Sequence, residues 1–348
     1  MLNEGSSYRN FSHIYVERQA LEYQAAKEII ARFPDAQVIV IRHYKDVFNR
    51  KKQDHRAQAT SKKLILAVNK GTRIFEGSDM CQDHGHERFY YASNVMNCLF
   101  DCDYCFLKGM YPTANILMFV NFEDYAADVI RMLKDGPMYL SVSYETDLPA
   151  MNGIYDMTSL WCDLASQHPD LTLEIRTKSA SRAVVPADNI IYSYTLSPEE
   201  IIKRYEHHTA SLDARIKSVR NAYNSGCRVR LCFDPLMYVS DYASCYNTFM
   251  DKVLSEVDFA KVFDISVGSF RISKEYLKAL RRSCPMSSAT EFPFVNDNGY
   301  AVYPERIADE MKDLVITRLC EVTDGGKIFC DSDGGIIGNR QSDSSDAS

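Results

Sequence analysis

The chain has 348 residues, of which 46% are hydrophobic and 25% charged, with a formal net charge of -7. That is ordinary globular composition, ample for a buried core in one large α/β domain or two smaller ones. No run of ~18 or more apolar residues and no apolar signal-peptide core appears, so no membrane span is expected and the chain is placed in the cytoplasm. Eleven cysteines at irregular spacing do not read as a disulfide framework; an odd count suits free thiols plus a metal site.

In chain order, residues 20–33 carry apolar side chains at helical spacing and predict a helix. The β-branched run 37–43 predicts a strand, residues 44–61 a polar, basic loop, and residues 63–70 the next strand. These make an N-terminal α/β extension over 1–89. The charges at Arg50-Lys51-Lys52, His55-Arg56 and Lys62-Lys63 read first as a solvated face, although such patches can meet phosphate. From 90–94 onward, strand candidates at 116–121, 138–145, 172–178, 190–196, 228–235 and 262–270 alternate with helix candidates at 123–134, 155–168, 198–205, 212–224 and 242–257. Alternation of this kind builds βα units on a parallel sheet, so the span 90–289 is expected to form a partial (β/α) barrel whose site lies at the carboxyl ends of its strands. Aromatics around the turn residues Asn296-Asp297-Asn298-Gly299 predict a C-terminal β-hairpin, followed by a helix at 304–320, within a unit over 290–337. The polar tail 338–348 is expected to be disordered.

The loop after the 90–94 strand reads Asn97-Cys98-Leu99-Phe100-Asp101-Cys102-Asp103-Tyr104-Cys105, a C-x3-C-x2-C spacing. Three thiolates on one short loop can each bind one iron of a [4Fe-4S] cubane. The fourth iron is then free to be chelated by S-adenosylmethionine, whose sulfonium splits on one-electron reduction. Zinc is the alternative, and needs a fourth ligand such as Cys81, His84 or His86. A zinc-holding adaptor is the non-enzyme reading that goes with it.

Other features carry less. His84 and His86 in a polar loop, and His207-His208 at a helix end, read as solvated. Arg271 and Arg281-Arg282 are candidates for phosphate contact but read first as ordinary surface charge, and Asp234 either orients a polar group or caps a turn. Cys162, Cys227, Cys232, Cys245, Cys284, Cys320 and Cys330 read as core or incidental thiols.

From about Ile14 to the C-terminal helix, the chain resembles the spore photoproduct lyase family of radical S-adenosylmethionine enzymes. The resemblance rests on IYVERQALEY, NCLFDCDYCFLKG, FVNFED, RTKSA around Lys178 and SLDARI at Ser211–Ile216, in the family's order. It implies a lyase of DNA repair: a 5′-deoxyadenosyl radical takes hydrogen from an ultraviolet-induced, methylene-bridged thymine dimer extruded from DNA. It further implies an electron donor such as flavodoxin or ferredoxin. It assigns the cluster to Cys98, Cys102 and Cys105, places Tyr104 near the cofactor, and gives S-adenosylmethionine to Lys178 and Ser193, with Ser143 lining the same pocket.

Two positions depart from the family. Tyr144 stands where the family's hydrogen-donor cysteine falls, and Phe106 replaces the tyrosine after the third cluster cysteine. Repair then needs another relay, for which Cys81 is the candidate donor, with Tyr104 or Tyr144. Otherwise the scaffold serves a different radical reaction on another nucleic-acid lesion, a nucleoside or a peptide.

Overall fold

The computed structural model describes residues 11–78, 81–181, 185–283, 285 and 287–330. The expected disordered tail and Cys284 lie outside the described residues. Among the described residues sixteen strands are formed: β1 (His13–Glu17), β2 (Gln37–Ile41), β3 (Leu64–Ala67), β4 (Ile74–Glu76), β5 (Phe89–Ala92), β6 (Val95–Met96), β7 (Ile116–Phe119), β8 (Met138–Ser141), β9 (Leu171–Thr177), β10 (Ile190–Thr195), β11 (Arg228–Leu236), β12 (Asp264–Ser269), β13 (Arg271–Ser273), β14 (Val295–Asp297), β15 (Tyr300–Val302) and β16 (Ile328–Cys330).

The first sheet has the order β2-β1-β3-β7-β6. Its four longer strands run parallel, and β6 closes the edge antiparallel to β7. β3 and β7 are buried along their whole length, as strands covered on both faces must be. Residues 116–119 were expected among the barrel strands; they pair instead with β3. Helical periodicity around 24–32 appears as the helix Gln24–Arg32, which buries Ala25, Ala26 and Ile29. The expected loop 44–61 contains two short helices, Lys45–Phe48 and His55–Ala59, the second capped by Asp54 accepting from the Ala57 N–H.

The second sheet, β16-β12-β11-β10-β9-β8-β5-β4, is parallel except for β4 at its edge. Its apolar face lies under helices such as Met157–Gln167, whose Trp161 is fully buried edge-on against Phe122 at 5.0 Å. The other face carries polar side chains at period two: Glu174 and Arg176, Ser193, Arg230 and Cys232, Asp264 and Ser266. Tyr139 on β8 accepts a 2.6 Å hydrogen bond from Arg230 on β11, across two intervening strands. Such a bond requires the sheet to curl with this face concave, which is the partial barrel expected from the sequence.

A third sheet, β13-β15-β14, is antiparallel. Asn298 and Gly299 both have positive φ, so the predicted Asn-Gly turn closes the β14–β15 hairpin. The helix Glu305–Cys320 follows.

Candidate functional site

The three-cysteine loop leaves β6 at the carboxyl end of the barrel. Asn97 opens it with φ +71, a left-handed conformation that asparagine tolerates, and its amide clamps the carbonyls of Thr113 and Asn115 at 2.8 and 2.9 Å. The buried Lys62 ammonium donates to the carbonyls of Cys98, Leu99 and Phe100 at 2.8, 2.9 and 2.9 Å, which uses all three of its protons. The sequence reading had put Lys62 on a solvated face. The far side is tied by the Asp101 and Asp103 N–H groups to the carbonyls of His207 and Tyr205, at 3.1 and 2.8 Å. His207, expected to be merely solvated, also meets Asp103 at 3.0 Å.

The loop gathers the three thiols. Burial pushes the Cys98 thiol up to about 12, with Asp147 and Cys105 adding to the effect. Burial likewise raises Cys102, partly offset by the Lys178 ammonium. Left to themselves these buried thiols keep their protons, so a group that binds them as thiolates must displace those protons. Among the described residues, no three His, Cys, Asp or Glu side chains converge on one ion position. That holds for Cys81 with His84 and His86, and equally for Cys98, Cys102 and Cys105, of which a cubane needs each on a different iron. His86 instead stacks on Tyr139 at 4.6 Å, and His84 packs edge-on against Phe329 at 5.1 Å.

Beneath the loop lies a buried charge network that sequence reasoning missed. Glu206 accepts from the Tyr104 hydroxyl, from Ser197 at 2.9 Å and from Arg215, and lies 3.9 Å from the Lys178 ammonium. Burial alone would raise its carboxyl; Arg215 and Lys178 outweigh that and hold it at about 2. Arg215 belongs to the SLDARI segment, where its role was unassigned, and also donates to the carbonyls of Ala210 and Thr195. Lys178 follows β9, with its N–H given to Asp147 at 2.6 Å and its ammonium 5.2 Å above the Tyr104 ring. Burial disfavours the ammonium, but Glu206 and the nearby thiols keep it charged. The only signal for Glu206 in the sequence was its place just before His207-His208.

The sequence-predicted cofactor residues fall on successive strands. Ser143 follows β8, and its buried hydroxyl has no hydrogen-bond partner, as does that of Thr146. An orphaned buried hydroxyl beside the thiol loop marks a place where a polar ligand group fits. Ser193 is fully buried on β10 and donates to Glu174 at 2.8 Å.

The candidate donor pair is brought together. Cys81 and Tyr144 lie close enough to act on each other electrostatically, and burial raises both groups. Tyr144 packs between Tyr91, at 4.4 Å, and Phe106, at 5.5 Å. The second departure from the family pattern is thus in contact with the first. Tyr104 is not part of this group, since its hydroxyl is taken by Glu206. Arg176 and Asp234, 3.3 Å apart, lie on the Cys81 side of the barrel mouth. Arg281 is spent on the carbonyls of Thr290 and Phe292. Cys162, Cys227, Cys232 and Cys330 are buried, Cys245 is half-buried and Cys320 is exposed.

No protein-family model matches the chain. A UDP-N-acetylmuramate–L-alanine ligase of Psychrobacter arcticus is 32% identical over 119 residues, which span 34% of this chain but only 24% of the ligase. A spore photoproduct lyase of Clostridium acetobutylicum is 23% identical over 89% of this chain and 95% of its own length. Among solved structures, a spore photoproduct lyase variant with dinucleoside spore photoproduct superposes with a TM-score of 0.77 at 15% identity, covering 92% of this chain and 98% of that one. A further variant, with bound AdoMet and dinucleoside spore photoproduct, gives 0.74 at 16% identity over the same shares. The muramate ligase likeness covers too little of that enzyme to carry its activity, whereas over nearly its whole length this chain has the fold of spore photoproduct lyase.

Proposed function

We propose that the chain is a radical S-adenosylmethionine lyase that repairs spore photoproduct, the ultraviolet-induced thymine dimer, in DNA. The observation that carries this reading is the Cys81–Tyr144 contact. It puts a thiol beside Tyr144, the residue that stands where the family's donor cysteine falls, inside a fold that matches the lyase almost end to end. The relatives solved with dinucleoside spore photoproduct and with AdoMet support the substrate and cofactor.

Cys98, Cys102 and Cys105 would hold a [4Fe-4S] cluster, and Ser143, Lys178 and Ser193 S-adenosylmethionine. When bound, these groups supply a 5′-deoxyadenosyl radical able to take a hydrogen atom from the lesion. Lys62 holds the thiol loop by its carbonyls, so the sulfurs are positioned in advance. Lys178 offers a charged ammonium to the carboxylate of S-adenosylmethionine, kept protonated by Glu206. Ser143 offers an unused hydroxyl, and Ser193 retains an acceptor lone pair after donating to Glu174. Once the methylene bridge has broken, the Cys81 S–H, beside Tyr144, returns a hydrogen atom to the thymine radical and is left as a thiyl radical. One electron and a proton restore the thiol, the electron coming from a donor such as flavodoxin or ferredoxin, which also supplies the electron that starts the reaction. Among the described residues no helix is long and apolar enough to cross a membrane; we place the reaction in the cytoplasm.

Anaerobic reconstitution with iron and sulfide tests the reading. A brown protein that releases 5′-deoxyadenosine on reduction, and thymine monomers from ultraviolet-treated thymine dinucleotide, is expected. A colourless chain with stoichiometric zinc and no capacity for iron would sink it; 5′-deoxyadenosine without thymine would move the substrate elsewhere.

A further inference from the structure

In the first sheet β1 lies between β2 and β3: the chain leaves it for β2 on one side and then crosses to β3 on the other. At such a switch the two connections diverge and leave a crevice at the carboxyl ends of the strands. Here the crevice measures about 1600 Å³ and runs from the ends of β1, β2 and β3 to Phe75 and Ser93 at the rim of the barrel. That exceeds the roughly 300–1,000 Å³ of a small-molecule pocket, and the crevice is open, so its size fits a length of polymer.

Its charge is specific. Arg18 follows β1, Arg42 and Lys45 follow β2, and Lys70 follows β3; all four are exposed and line the crevice. None of them makes an ion pair with a described carboxylate. Nearby Arg73, by contrast, is held by Asp124 and Asp128 at 3.4 and 2.7 Å. Of the acids lining the crevice, Glu17 already accepts from the N–H groups of Tyr44 and Val68, and Asp46 is exposed. Four cations without an ion pair line one groove in a chain of net charge -7, Lys45 among them lying 5.9 Å from the centre of the Tyr44 ring. Aromatic faces line the same groove: Tyr44, and Phe75, which stacks on Tyr91 at 5.3 Å. Tyr91 in turn packs on Tyr144, so the groove leads to the Cys81 site. Ser93 on its floor donates to Glu145, which follows β8 at the barrel mouth.

We infer that this crevice carries the phosphate backbone of the DNA strand flanking the lesion, with an unstacked base against Tyr44 or Phe75. The inference rests on the proposed DNA substrate and names how DNA longer than the lesion itself is held. A protein electron donor fits less well. No cluster cysteine lines the crevice; Cys98 and Cys105 line a separate small pocket of about 20 Å³ beside His55 and Lys108.

The test is binding of a labelled single-stranded oligonucleotide to the full, cofactor-free chain across a salt series, comparing wild type with the Arg18→Gln, Arg42→Gln, Lys45→Gln, Lys70→Gln variant. Loss of four phosphate contacts should weaken binding at least about tenfold and make the slope of log K against log salt shallower by about 3. The charge-conserving Arg42→Lys, Lys70→Arg variant should retain affinity, which separates charge from misfolding. Thymine release from the dinucleoside lesion, which has no flanking phosphates, should be unchanged in the reconstituted variant. Unchanged affinity and slope overturn the inference. So does a loss confined to flavodoxin-driven turnover with DNA binding intact, or a loss confined to binding of ATP as a probe nucleotide. Wild-type chain that binds DNA through these cations but releases no thymine leaves the crevice standing and removes only the repair reaction.

Discussion

The loop of Cys98, Cys102 and Cys105 and the segment that begins at Cys81 meet at Tyr144, which touches Phe106 on one side and Cys81 on the other. They are held in opposite ways. The cluster loop is fastened from distant parts of the chain: Lys62 grips three carbonyls, Asn97 two more, and Glu206 takes the Tyr104 hydroxyl. The Cys81 segment is held mainly by its own turns, such as the Cys81 N–H on the Ser78 carbonyl at 2.8 Å and the His86 N–H on the Asp83 carbonyl at 3.0 Å. A long-range hydrogen bond, 3.4 Å from Gln82 to the Cys330 carbonyl, ties it to the opposite edge of the barrel. His84 and Gly85 have positive φ there, and both His84 ring nitrogens are buried without a partner. The proposed function accounts for the contrast: a cofactor loop gains from being rigid before its cofactor arrives, whereas a hydrogen donor has to meet a substrate that enters and leaves.

Breaking the charge under the cluster loop should have the largest effect. Glu206→Gln strands Arg215 and Lys178 in the interior and is expected to cost about 3–5 kcal/mol in urea unfolding. The wild-type carboxyl sits at about 2, below its usual 4.5. Its contribution is complete above pH 4.5 and is lost as pH falls toward about 2, so the variant should show a flatter stability profile over that window.

Lys62→Met removes the cation but keeps an apolar stem of similar length. Three buried carbonyls then lose a charged donor, with an expected cost of about 2–4 kcal/mol and a lower iron content after reconstitution. A melting curve and an iron assay check both; normal iron loading would separate Lys62 from cofactor retention.

On the other side of the comparison, Cys81→Ala should cost only about 1 kcal/mol yet divert the thymine radical into side products. Clean repair at the wild-type rate would remove Cys81 from the reaction. Tyr144→Phe deletes the hydroxyl beside the sulfur and should give a partial form of the same diversion, read as the ratio of thymine to by-products. The smallest change is also the most diagnostic of how this segment is built: His84→Phe replaces two orphaned nitrogens with an apolar ring. It should be neutral or stabilising by up to about 1 kcal/mol. A large loss would mean that the imidazole is satisfied by water or ligand.

Much of this architecture is written in local pattern. The β/α alternation, the Asn-Gly hairpin turn, the helices after β7 and β8 and the cysteine spacing all depend on residues close together in the chain, where period and turn chemistry decide. The departures at Tyr144 and Phe106 were equally legible, because each is a substitution within a motif. What the sequence could not give was partnership at long range. Lys62 beside Lys63 looks like surface charge until the fold brings it under carbonyls 36 to 38 positions away. Glu206 has no motif of its own, and acquires its role because Tyr104, Lys178 and Arg215 arrive from three other elements. Residues 116–119 read as one more barrel strand, since a buried apolar run carries no mark of which sheet will bury it. The sequence by itself determined which three thiols are neighbours on one loop, since their spacing is local. Only the tertiary structure decided what holds that loop, which thiol faces it and where a charged crevice opens, because these depend on side chains whose proximity is created by folding.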